Sequence, residues 1–361
     1  MPSRRLAAST AAPGSVRGRG ATANPDGRFE ATRREILDDG WPRDEPAPVQ
    51  RTEVTVERAR SIITRNTSPD IPFDRSINPY RGCEHGCVYC FARPNHAYAG
   101  LSPGLDFETK LSAKPDAARL LERELAAPGY AARTIALGTA TDPYQPIERE
   151  HRITRAVLKV LARHRHPVGI VTKSNLVTRD LDILAPMAAR NLVKVAVSVT
   201  TLDPVLARRM EPRAPHPQKR LEAIRQLSAA GVPVMVIVAP IIPSLNDHEI
   251  EAILGEARAC GAGEAGHVLL RLPHEVKDLV ADWFAAHYPG RQRHVFSLVA
   301  QARGGREYDA AFGRRMTGTG AYAELIATRM RLAKARLGYA RARVTLDASA
   351  FTKPGGQLAL L

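Results

Sequence analysis

The chemistry of this chain is concentrated in one loop, Arg81-Gly82-Cys83-Glu84-His85-Gly86-Cys87-Val88-Tyr89-Cys90-Phe91, where three residues separate the first pair of cysteines and two the second. Spacings this short let one loop fold three thiolates around a single cubane cluster. Three thiolates ligate three irons of a 4Fe–4S cluster and leave the fourth open to bind and activate a small molecule. A structural zinc is the rival reading, with His85 or His96 as fourth ligand, although structural zinc loops usually pair two short ligand clusters. A disulfide framework fits poorly, because the chain has four cysteines in 361 residues and three of them crowd one loop. Cys260, beside small apolar residues, reads as a buried free thiol.

A loop of this kind needs a frame, and the flanking sequence is patterned as one. Apolar runs of strand length at Thr134–Leu137, Val168–Thr172, Lys194–Val199, Val232–Val238 and His267–Leu272 alternate with helical segments. The helices are expected at Ala117–Leu125, Thr154–Arg163, Leu181–Ala189, Gln218–Ala230, Glu249–Cys260 and Glu275–Ala286. With a first strand before Cys83 this makes six βα units, fewer than a closed eight-unit barrel, and the pattern alone leaves a doubly wound open sheet available. Parallel barrels carry their chemistry on the loops after the strands, and the cysteine loop follows the first strand.

The chain divides into a disordered tail over 1–50, a lead-in segment over 51–76, a core over 77–288 and a basic extension over 289–361. In the extension, Gly304–Asp309 and Arg314–Gly320 read as loops around a short helix, and Ala321–Leu337 as a longer one.

Apolar residues make up 44% of the chain, enough for a sizeable core. The net charge of +15 is uneven. Residues 1–50 carry eight Lys/Arg against seven Asp/Glu, whereas Arg291 to Arg343 carry twelve against three. That excess suits the phosphates of a nucleic acid or nucleotide, and equally a solvated arginine-rich helical surface. The longest apolar run, Val232 to Pro243, is too short to span a bilayer, and the N-terminus lacks an apolar export segment. A cytoplasmic protein with no membrane partner is the expectation.

The cysteine spacing, with Tyr89 just before the last cysteine, resembles the signature of the radical S-adenosylmethionine (SAM) superfamily, and within it the spore photoproduct lyase-like branch over roughly residues 77–272. The resemblance implies an α/β fold, a partial (β/α)6 TIM-like barrel, with Cys83, Cys87 and Cys90 holding a 4Fe–4S cluster. It implies that SAM chelates the open iron. An external one-electron reductant of the flavodoxin or ferredoxin type then drives its cleavage to a 5′-deoxyadenosyl radical that abstracts hydrogen from substrate. A nucleic acid is the substrate class the branch suggests.

Four strand-end segments extend the resemblance. Gly138–Glu148 stands where many members carry a Gly-Gly-Glu that holds the SAM amine; here Thr139, Thr141 and Asp142 are the candidate substitutes, with a turn before Pro143 as the plainer role of Asp142. Lys173 matches a lysine that meets the SAM carboxylate. Ser198 matches a ribose or carboxylate hydrogen-bonding position, with Thr200 second, against the plainer role of a satisfied strand hydroxyl. The apolar-proline loop Val238–Asp247 suits adenine, with Asn246-Asp247 capping the next helix. Tyr89 and Phe91 shield the cluster or contact adenine, with core packing the plainer role of Phe91. Glu211-Pro212-Arg213 and Arg220 form a polar cluster that reads as surface charge pairing, against a salt bridge at the barrel mouth or a substrate contact. The branch's hydrogen-donating cysteine has no counterpart, since Thr134–Glu148 contains no cysteine. From a different class, the chain reads as a metal-stabilised nucleic-acid-binding protein without radical turnover.

Overall fold

Apolar strands that each lead into a one-faced helix are joined most simply by parallel pairing through crossovers. The computed structural model, which describes residues 18–30, 51–340, 342 and 344–355, has six such strands. They are β1 (Arg75–Ile77), β2 (Ile135–Leu137), β3 (Val168–Thr172), β4 (Val193–Ser198), β5 (Val234–Ile241) and β6 (Glu264–Leu269). The sheet runs β6-β5-β4-β3-β2-β1, all parallel, and ends in an antiparallel seventh strand, Ile63–Arg65. A doubly wound sheet reverses its strand order at a switch point. This one keeps sequence order throughout, so the fold is the partial (β/α)6 barrel.

The crossover helices are α1 (Ala117–Ala126), α2 (Ile153–Arg163), α3 (Leu181–Ala188), α4 (Pro217–Ala229), α5 (Ile250–Ala259) and α6 (Val276–His287). The first five each present one apolar stripe to the sheet, while that of α6 packs in the layer under the cysteine loop. On α2, Val157, Leu158 and Leu161 meet the core that holds Leu137, Ile170 and Val195, each buried side chain contributing roughly 1.5–3 kcal/mol. The expected helices match these within one or two residues. Two strands shift for visible reasons. β5 continues to Ile241 through Pro240, because β4 pairs no further than Ser198 with Ile237 and the missing proline N–H costs no bond on that side. β6 begins at Glu264, a residue polar in sequence whose buried carboxylate accepts the Val344 N–H at 2.8 Å.

A second sheet escaped the sequence reading: Tyr80–Arg81 pairs with Lys110–Ala113, which pairs in turn with Glu53–Val56. Its strands are too short to show alternation, and they flank the cysteine loop on both sides.

The tail expected to be disordered over 1–50 is corrected where it is described. Residues 19–21 are buried. The Gly20 and Ala21 N–H groups donate to the Glu108 carboxylate at 2.9 and 2.8 Å, and Arg19 to the Glu108 carbonyl at 3.0 Å. Backbone bonded to one buried acid needs no apolar periodicity, so composition gave no sign of it. Residues 1–17 and 31–50 of that tail lie outside the described residues.

The C-terminal extension closes the open edge of the sheet. The Leu269 N–H donates to the Met316 carbonyl at 2.9 Å, and buried Arg303 bonds the carbonyls of Leu270, Arg314 and Arg315 at 2.9–3.0 Å. Two helices frame this stretch, α7 (Gln292–Gln301) and α8 (Gly320–Arg336). Between them run turns, where a short helix was expected. Ala323, Ile326, Met330 and Ala333 form the buried stripe of α8. Among the described residues, no helix is long and apolar enough to cross a membrane.

Candidate active site

The cysteine loop leaves β1 at the end of the barrel where the strands finish. Its backbone is fastened from every side. The Cys83 N–H donates to the Phe107 carbonyl at 2.9 Å and the Val88 N–H to the Met210 carbonyl at 3.1 Å. The Glu84 N–H donates to Gln145 Oε1 at 2.8 Å, and the Gly82 carbonyl accepts the Thr141 hydroxyl at 2.6 Å. Arg93, fully buried, donates to the carbonyls of Cys87, Pro103 and Gly104 at 2.8–3.0 Å and pairs with Glu108. Gly86 has φ +69°, the left-handed region that favours glycine, and a Cβ on Gly20 would stand 1.8 Å from its carbonyl oxygen. The N-terminal segment therefore lies flush on the loop.

The side chains of Cys87, Val88 and Tyr89 face an apolar layer with Ile242 and Leu245 from the β5 loop and Leu270, Val280 and Trp283 beyond. Asn246 does not cap a helix as expected. Its side chain accepts from the Ile242 N–H at 2.7 Å and donates to the carbonyls of Thr200 and Pro240 at 2.8 and 3.0 Å, tying the ends of β4 and β5 together. Phe91 is not core either: it is 48% exposed and lies under the Arg271 guanidinium, 4.9 Å from ring centroid to cation.

Beside the loop, one network gathers Tyr89, Lys173, Ser198 and Thr200. Lys173 Nζ lies 2.8 Å from Ser198 Oγ, 3.0 Å from Thr200 Oγ1 and 3.0 Å from Glu211 Oε1, with the Tyr89 ring centroid 5.6 Å away. The Tyr89 hydroxyl donates to Glu211, and Arg220 pairs with the other Glu211 oxygen. Glu211 and Arg220 are buried, so the surface pairing expected of them is corrected: they form an interior ion pair facing the lysine. Burial pulls Lys173 down to about 8, with Arg220 adding to the shift and the Cys87 and Asp142 sides opposing it.

Asp142 holds the ends of β2 and β3 together. Its oxygens accept the Tyr144 N–H at 2.8 Å, the Thr172 hydroxyl at 2.7 Å and the Lys173 N–H at 2.8 Å, and His85 Nδ1 stands 3.4 Å away. Burial pushes this carboxyl up, but His85 and these bonds outweigh it and the net shift is downward. The turn role is thus filled, with both oxygens engaged. Thr141 is buried, donating to Gly82 and accepting from Gln145 Nε2 at 2.9 Å. Thr139 is half-buried against Asn78 Oδ1 at 3.2 Å, apart from the lysine network.

The three thiols are free, two buried and Cys90 half-buried. Burial pushes all three upward, so the protein alone does not favour thiolates; a bound metal would. Among the described residues, no group of three His, Cys, Asp or Glu is arranged for a single ion. The histidines raised for zinc are turned elsewhere, His85 to Asp142 and His96 to the Lys110 carbonyl at 3.0 Å. A cubane spreads its thiolates over three irons, so three reduced cysteines without a fourth ligand fit such a group.

Comparison with known proteins decides the family. The Radical SAM superfamily matches residues 77–257. The chain belongs to that superfamily. Among relatives of this radical SAM chain is an uncharacterised protein of Mycobacterium tuberculosis, 39% identical over 221 residues, covering 61% of this chain and 65% of that protein. Another, from Methanocaldococcus jannaschii, is 29% identical over 182 residues and covers 50% and 65%. The chain therefore spans less than two thirds of the length of these relatives. A spore photoproduct lyase mutant solved with bound AdoMet and dinucleoside spore photoproduct superposes with TM-score 0.57 at 15% identity, covering 79% of both chains. That likeness is one of fold.

Further residues of this site lay outside the sequence reading or were misread in it. Arg93 and Glu108 gave no signal, since their pairing joins the cysteine loop to a segment with no periodic pattern. Gln145 sits within the quoted Gly138–Glu148 segment, where an amide so near a proline turn was the available hint. Glu211 was noticed but assigned to the surface.

Proposed function

We propose that this chain is a radical SAM enzyme in which Cys83, Cys87 and Cys90 ligate a 4Fe–4S cluster and SAM occupies the space between the cysteine loop and Lys173. Such a cluster, reduced by one electron from a flavodoxin- or ferredoxin-type donor, supplies reductive cleavage of SAM to the 5′-deoxyadenosyl radical that takes hydrogen from substrate. The protein's part is to hold and exclude. Lys173 offers a point charge to the SAM carboxylate, and Ser198 and Thr200 orient that ammonium. Tyr89, the β5 loop and the apolar layer beneath exclude water. Thr141 and Asp142 act as braces, fixing the Gly82 carbonyl and the Lys173 backbone. Thr139, on the same strand end, is the remaining candidate for the SAM amine.

The observation that carries this reading is the convergence of three free cysteines and a half-desolvated lysine at one end of the barrel. We assign a nucleic acid or its fragments as substrate class, supported by the exposed Phe91 stacked on Arg271 beside Cys90, an arrangement that suits a base and its phosphate. Chemistry through a donor cysteine on the second strand segment is not part of the proposal, because that segment has none. Anaerobic reconstitution tests it. The expected results are an electron paramagnetic resonance spectrum that changes when SAM is added, and 5′-deoxyadenosine plus methionine among the products. A spectrum indifferent to SAM, or a protein that retains only zinc, ends the proposal.

A further inference from the structure

An ammonium donates three hydrogen bonds, and acceptors already crowd Lys173: Ser198 Oγ at 2.8 Å, Thr200 Oγ1 at 3.0 Å and the Ala239 carbonyl at 3.4 Å, with Glu211 Oε1 as an ion-pair partner at 3.0 Å. A ligand carboxylate that reaches this nitrogen must therefore replace an acceptor. Three of these four are neutral: two hydroxyls, on the last residue of β4 and two residues past it, and one main-chain carbonyl of β5. The fourth is itself a carboxylate.

Glu211 is unusually well provided for without the lysine. Its Oε1 also accepts the Thr200 hydroxyl at 2.6 Å and the Tyr89 hydroxyl, while Oε2 is held by Arg220. Arg220 is in turn fixed by the carbonyls of Pro215 at 2.9 Å and Ser198 at 3.2 Å. Losing Lys173 would leave Glu211 paired and hydrogen-bonded on both oxygens, so no buried charge is orphaned. Losing Glu211 without a replacement anion would leave Lys173, 15% exposed, without the one ion pair it makes among the described residues. The pair is asymmetric: the buried acid can release the lysine, and the lysine is the member that faces the open side.

We infer that Glu211 is an internal counter-ion, holding Lys173 in place until the carboxylate of the bound ligand takes its position. Glu211 is a positioning residue, acting through Lys173 and Tyr89. The inference rests on the assignment of Lys173 to the SAM carboxylate, and it adds competition: the acid that preorganises the lysine also opposes the ligand.

Cluster-reconstituted protein, titrated anaerobically by calorimetry with S-adenosylhomocysteine and with its decarboxylated analogue, tests this. In Glu211→Gln the affinity for S-adenosylhomocysteine is expected to rise about tenfold, as removal of one competing charge allows, with the decarboxylated analogue unchanged. The ratio of the two affinities is the readout, since a merely structural role would move both together. Glu211→Gln also leaves Arg220 without its anion, so the paired variant Glu211→Gln/Arg220→Met is measured beside it, each checked by circular dichroism, and the same rise in ratio is expected. An unchanged or lowered ratio in a folded variant overturns the counter-ion. If wild-type protein binds the two ligands equally and Lys173→Met alters neither, the SAM-carboxylate assignment has failed, and the counter-ion falls with it for that separate reason.

Discussion

The cysteine-loop end of the barrel and the C-terminal extension both hold many charges, and they use them in opposite ways. Around the loop, Arg93, Glu108, Glu211 and Arg220 are buried and Lys173 is 15% exposed, and each charge meets a partner at a fixed place. In the extension, Arg314 pairs with Asp309, Arg315 with Asp70 and Arg329 with Glu251, all with at least one partner reaching solvent, while Arg293, Arg331 and Arg336 are exposed. The region with the larger net charge is the less specified of the two. A charge in water tolerates many geometries; a charge out of water tolerates few, so buried ions mark the places where position matters.

The largest effects are expected on the buried side. Alanine at Cys83, Cys87 or Cys90 should remove essentially all cluster iron while far-ultraviolet circular dichroism stays native; iron retained in full would break the contrast at its root. Arg93→Met leaves the Glu108 carboxylate unpaired in the interior and should cost about 3–5 kcal/mol in denaturant unfolding. Lys173→Met should weaken S-adenosylhomocysteine binding about 10- to 100-fold, the worth of a hydrogen bond to a charged group, with little change in melting temperature.

Acid should act through a third place. Burial, with Arg75 and His164 nearby, pulls His166 down to about 4 from its ordinary 6.5. The unfolded chain then binds the extra proton, so stability is full above pH 6.5 and declines as the pH falls toward 4, by at most about 3 kcal/mol. His166→Gln should flatten that limb in pH-dependent unfolding. The smallest effect belongs to the extension: Arg329→Ala, breaking a half-exposed pair with Glu251, should change stability by about 1 kcal/mol or less. A larger loss there would blur the comparison.

Legibility followed the same divide. Periodicity made the six βα units readable to within a few residues, because strand and helix spacing are local. Lys173 and Ser198 were readable as candidates because the family resemblance places polar residues at those strand ends. Glu108 was not, since it pairs with Arg93 across an aperiodic segment and with two backbone amides 87 and 88 residues earlier in the chain. Glu211 was visible but misplaced: nothing local distinguishes an acid in the interior from one on the surface until Arg220, nine residues later, is known to face it. The excess of arginine in the extension read as a phosphate-binding face or a solvated helical surface. Buried Arg303 instead seals a sheet edge through carbonyls, a use that a charge count does not reveal.

Gly20 lies flush on the Gly86 carbonyl, so on that side the wall of the cysteine loop is bare main chain contributed from far upstream. A polypeptide begun downstream of Ala21 lacks this wall and leaves two acceptor positions on Glu108 to water. Expression work on this gene product therefore has to keep these opening residues, although their composition invites trimming.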